Sequence, residues 1–135
     1  MIRNTFVLLG GIVLGSTVNM LIIALGAEVI PPPPGVNANS VESIAQSMHL
    51  YQTKHFLAPL LAHALGALSG AYFVAKLATE HQFPFAMFVG VLFLAGGITM
   101  AYQLPAPLWF TVIDIVCCYI PMAWFGYRFA TRSSN

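Results

Sequence analysis

Five side chains carry hydrogen-bonding or titrating chemistry inside otherwise apolar stretches of this chain: Asn19, His63, Thr99, Gln103 and Asp114. Asp114 and His63 are the two that titrate. Brought together, a carboxyl and an imidazole form one coupled titrating unit. A desolvated carboxyl tends to stay protonated unless a cation pairs with it. Titrating groups placed within a membrane commonly mark ion paths or proton relays. The plainer alternative is a polar network that fixes helix register, with Asn19 as interhelical glue.

Other chemistries fail on inventory. Cys117 and Cys118 are adjacent, so on a helix their side chains point about 100° apart and pair poorly as a disulfide. No Cys-x-x-Cys is present, which argues against a thiol oxidoreductase and for small buried apolar residues. His49, His55 and His63, with Met20, Met48 and Met100 as soft donors, are the only material for a metal or haem. They show neither HxxxH nor HExxH spacing, so no metal and no cofactor are expected. There is no phosphate-binding glycine loop and no Gly-x-Ser-x-Gly. Glu28 and Glu42 share one loop, and nothing fixes them as an acid–base pair. An enzyme would have to work through His63 and Asp114 on a lipid or quinone, and a non-enzymatic protein is the expected reading.

The elements that position these residues follow from composition. Of 135 residues, 59% are hydrophobic and 7% charged, against about 25% charged in soluble domains. Mean hydropathy is +0.81. A water-soluble globule has too little polar surface at this composition, and disorder requires the opposite one. The net charge of +1 leaves no footprint for nucleic acid. An all-α integral membrane protein remains, a single transmembrane domain over residues 1–135.

A spanning helix takes about 20 apolar residues. Four segments qualify, at about 5–27, 56–78, 83–102 and 108–129, joined by an outer loop at 28–55. The first is longer than the roughly 7–15 apolar residues of a secretory signal core, so it reads as a true span. Asn19, His63 and Asp114 each fall roughly 9–12 Å below the outer ends of their spans, at about 1.5 Å per residue. Thr99 and Gln103 lie near the outer end of the third. All four spans therefore offer polar groups to one outer half, which predicts an outward-facing pocket that binds or passes a small solute, ion or proton. A structural or accessory subunit is the alternative.

Gly11 and Gly15 in the first span and Gly66 and Gly70 in the second form small-xxx-small seams, where helix backbones approach closely. The same seams could serve a homo-oligomer or a larger membrane complex. Pro121 cannot donate to the carbonyl of Cys117 and should kink the fourth span. In the loop, Pro31 to Pro34 favour a polyproline II strut. Asn39 and Glu42 match a capping box, and Val41, Ile44, Met48 and Tyr51 recur at helical spacing. A short amphipathic helix is expected from Ser40 to Gln52, lying on the membrane surface or on the bundle top.

Arg3, Lys76, Arg128 and Arg132 fall on one side of the membrane and Lys54 on the other. Basic residues concentrate on the cytoplasmic side, so both termini should be cytoplasmic, as in a bacterial inner membrane protein surrounded by lipid. A reporter enzyme fused after Asn135 should be active in the cytoplasm. Activity confined to the outside of the cell would overturn this orientation.

Overall fold

The computed structural model describes residues 2–132, and every regular element among them is helical. The elements are α1 (Ile2–Val29), α2 (Val41–Gln46), α3 (Leu57–Leu77), α4 (Gln82–Gln103), α5 (Leu108–Cys117) and α6 (Ile120–Arg132). Two 3-10 turns, Met48–Leu50 and Thr53–Phe56, link α2 to α3. Four helical stretches are long and apolar enough to cross a membrane: Ile2–Val29, Thr53–Leu77, Gln82–Gln103 and Leu108–Arg132.

α3 is the hub, packed against α1, α4 and α6. It runs antiparallel to α1: Asn4 meets Thr79 at one end and Gly26 faces Ala58 at the other. It runs parallel to α5 and α6, since His63 meets Asp114 and Gly126 lies against Ala71. Small residues make this closeness possible. A Cβ on Gly15 would stand 2.6 Å from the Gly66 carbonyl oxygen, and one on Gly70 would stand 2.7 Å from that of Gly11. No real Cβ tolerates such distances, so the two backbones touch through their glycines. The buried core is correspondingly small in side chains, with Ala71, Ala75, Ala86, Ala123 and Ala130 together. Large apolar residues such as Phe6, Val13, Leu21, Val91 and Val116 face outward. An exposed apolar surface of this extent belongs against lipid rather than water.

Three local features depart from expectation. The fourth span is two helices, because α5 ends at Cys117, Cys118 caps it with its N–H on the Asp114 carbonyl, and α6 restarts at Ile120 just ahead of Pro121. Pro121 thus occupies the first turn of a new helix, where its missing N–H costs little. The proline run does not continue as a straight strut. Val36 N–H donates to the Pro33 carbonyl at 3.2 Å across Pro34 and Gly35, and Gly35 has φ 82°. Proline followed by a left-handed glycine is a type II turn.

The loop helix is also shorter than Ser40 to Gln52. It covers six residues, Val41–Gln46, and its N-cap is Ser40, whose hydroxyl accepts from Ser43 N–H at 3.2 Å, rather than Asn39. It ends where Ser47 N–H is shared between the carbonyls of Ser43 and Ile44, at 3.1 and 3.2 Å, tightening into the 3-10 turn. Asn39 instead donates its N–H to Asn37 Oδ1 at 3.0 Å, a local turn bond that holds it outside the helix.

Valine at Gly66 should push α1 and α3 apart and cost about 1–3 kcal/mol, the usual range for overpacking. A Cβ at Gly96 has no neighbour within 4 Å, so Gly96→Ala should be silent. Reversible unfolding in mixed micelles would measure both, and equal stabilities for the two variants would rule out the close seam.

Candidate functional site

Asp114 sits midway along α5, buried to 4% exposure. An ionisable group at that depth must find its partners inside the protein. From α3, His63 places Nδ1 2.7 Å from Asp114 Oδ1. Beyond the helix break, the Tyr119 hydroxyl donates to Oδ2 at 2.9 Å and lies 3.0 Å from His63 Nδ1. The Tyr119 and His63 rings also stack, with centroids 5.6 Å apart and planes 28° from parallel.

The break makes this triad possible. On a straight helix, five residues at about 100° each would set Asp114 and Tyr119 about 140° apart. The interruption between α5 and α6 lets the phenol swing back onto the carboxyl. Gly97 of α4 provides the room: a Cβ there would collide with the Tyr119 hydroxyl, and would stand 2.7 Å from Cε2 of the ring. Three helices therefore converge on one polar point, each through a residue that permits or supplies the contact.

His63 and Asp114 of the triad line the floor of a cavity of about 340 Å³, and Tyr119 is buried beside them. Its walls include Ile23 and Ala27 of α1, Met100 and Ala101 of α4, and Phe110 and Thr111 of α5. The first loop is the roof. Val41, Ile44, Met48 and Tyr51, the residues at helical spacing, all line it, so their apolar stripe turns down onto the bundle top. The roof is pinned by aromatic contacts from Phe56 to Phe110 at 4.9 Å, to Trp109 at 5.7 Å and to Tyr51 at 6.1 Å. Burial pushes the Tyr51 phenol above its ordinary range, so its hydroxyl stays protonated at neutral pH. Lys54 and His55 add polar groups to the lining.

Towards the termini the cavity closes. Below the triad a Cβ on Gly90 would lie 2.7 Å from Ala123 Cβ, and one on Gly126 would lie 2.9 Å from the Tyr72 backbone nitrogen. Helices this close leave no room for a continuous polar path.

Of the sequence candidates, His63 and Asp114 meet directly. Asn19 packs on Gly66, one turn along α3 from His63. Its side chain does not join the triad, and its Oδ1 is buried without a partner among the described residues. Thr99 and Gln103 do not line the cavity. Both are exposed, and the Thr99 hydroxyl bonds back to the Ala95 carbonyl at 2.8 Å. The reason is angular: the cavity face of α4 is Gly97, Met100, Ala101 and Leu104, a helical stripe that excludes positions 99 and 103.

Tyr119 and Gly97 were not singled out by sequence. The available signal was Pro121, which suspends the 100° rule for the residues just before it. Cys118 is buried and Cys117 exposed, both as free thiols. Among the described residues, no three His, Cys, Asp or Glu side chains gather as a metal site.

Comparison with protein-family models, with curated proteins and with solved structures finds no match.

Tyr119→Phe removes one hydroxyl and leaves Asp114 Oδ2 unanswered in the interior. The variant should lose about 1–3 kcal/mol of unfolding free energy, the penalty for a stranded buried acceptor. Unchanged stability would show that Oδ2 does not depend on that bond.

Proposed function

We propose that this chain is a multi-pass membrane protein of the bacterial inner membrane whose polar-floored pocket binds a small, mostly apolar molecule. The single observation carrying this reading is the roofed cavity of about 340 Å³ ending on His63 and Asp114, whose carboxyl is bonded to Tyr119. Its size falls in the usual range of small-ligand sites, as does its pattern of apolar walls with a few convergent polar groups. Passage of a solute or ion is the weaker form of the reading, because the terminus-side half is packed backbone to backbone.

In this reading the termini are cytoplasmic and the proline-rich first loop lies outside, so the pocket faces outward. Arg128 stacks over Trp124 with 5.5 Å to the ring centroid, an arrangement suited to the cytoplasmic interface. The chain works as a homo-oligomer or as a subunit of a larger membrane assembly, since four spans leave most of α1 facing outward. A second reading, a purely structural subunit, draws on Asp114 having both oxygens satisfied within the chain.

Xenon occupies apolar cavities of this size. Full-length protein in lipid nanodiscs should show a bound 129Xe resonance, and Ala106→Trp, which fills the cavity wall, should abolish it while the protein stays folded. No bound resonance in the wild type would sink the pocket. Proton flux into reconstituted liposomes that disappears in Asp114→Asn would replace binding with passage.

A further inference from the structure

The pocket floor has a handedness in its hydrogen bonding that restricts what it can hold. His63 engages the protein through Nδ1 alone. Its Nε2 has no partner among the described residues, while the side chain retains 21% exposure and lines the cavity. Nε2 is therefore the ring nitrogen left for an occupant of the pocket.

Proton counting decides which kind of group that is. His63 is the partner that Asp114 finds, and a net charge left at this depth is costly. The pair is best kept electrically neutral. Neutrality has two forms: imidazolium with carboxylate, or imidazole with carboxylic acid. Both hold two protons. One lies on the short Nδ1···Oδ1 contact of 2.7 Å, because two bare acceptors would repel at that distance. Tyr119 already donates to Oδ2, so that oxygen serves as an acceptor. The second proton then sits on Nε2 in either form, and the pocket offers a donor at its floor.

We infer that the pocket selects a compact apolar molecule bearing a hydrogen-bond acceptor, namely a carbonyl oxygen that accepts from His63 Nε2–H. This rests on the pocket reading above and deepens it. At about 340 Å³ the cavity lies at the small end of the roughly 300–1,000 Å³ range of ligand sites, which fits a compact molecule. Ile23, Met100 and Phe110 provide its apolar surroundings. A ketone, a quinone or the ester carbonyl of a lipid acyl chain shares this chemistry, and no covalent step is involved.

The test compares 4-butylacetophenone with 1-butyl-4-ethylbenzene, which has the same shape without the oxygen. Both are titrated into full-length protein in nanodiscs and read by displacement of the bound xenon signal. The ketone should bind about three- to tenfold more tightly, the worth of one hydrogen bond between neutral groups. A 13C-labelled carbonyl should show its bound infrared stretch at lower frequency than in empty nanodiscs. The preference should vanish in His63→Phe. If that variant fails to fold, 15N-histidine spectra of the wild type decide, since a proton must be seen on Nε2 of His63.

Equal binding of the two probes, an unshifted stretch or a bare Nε2 overturns the carbonyl assignment and leaves the pocket standing. Failure of both probes, with no xenon signal, takes down the pocket itself. Repeating the titration in diether and diester lipids separates the sources. Weaker ketone binding in diester discs supports the assignment with a lipid ester as occupant, and equal binding supports it with a free small molecule.

Discussion

A carboxyl group buried between apolar helices needs its partners from the protein, and Asp114 organises the structure around that constraint. Each of its oxygens requires a donor from the protein. His63 answers one from the neighbouring parallel helix, and Tyr119 answers the other from beyond a break in Asp114's own helix. The break, the glycine at position 97 and the register of α3 against α5 are consequences of meeting those two bonds. Without the break, Tyr119 would face away. With a side chain at Gly97, its hydroxyl would have nowhere to sit.

The two halves of the molecule treat space in opposite ways. Near the termini, glycine and alanine bring backbones into contact and leave nothing open. Near the loops, larger residues hold α1, α4 and α5 apart and a cavity results. The first loop completes that cavity as its roof, held by the Phe56, Phe110 and Trp109 rings. Its role is therefore closer to a wall of the site than to a spacer between helices.

The all-helical class and the four spans were legible in the sequence because hydrophobic length is a one-dimensional property. The meeting of Asp114 with His63 was legible from shared depth. What was hidden depends on angle. Thr99 and Gln103 lie in the right outer half but on the wrong face of α4, and depth carries no rotational information. Tyr119 was hidden because the expected kink at Pro121 gives no direction for the residues just before it. Periodicity in the loop did identify Val41, Ile44, Met48 and Tyr51 as one stripe. It overstated the length of helix that carries them, since the same stripe is built from one short helix and one 3-10 turn. Asn4, buried and accepting from both Thr79 N–H and Thr79 Oγ1 at 3.2 and 3.0 Å, lies outside the first span as read from apolar residues alone.

The hub position of α3 also sets an order in time. The chain is made from its N-terminus, and helices in a bilayer insert before they associate. α1 enters first and has little to hold until α3 arrives with Gly66 and Gly70, when the two close as a hairpin. α3 then waits, with His63 in place, while α4 crosses. Asp114 comes to a His63 already stationed to receive one of its oxygens, and Tyr119 follows five residues later for the other.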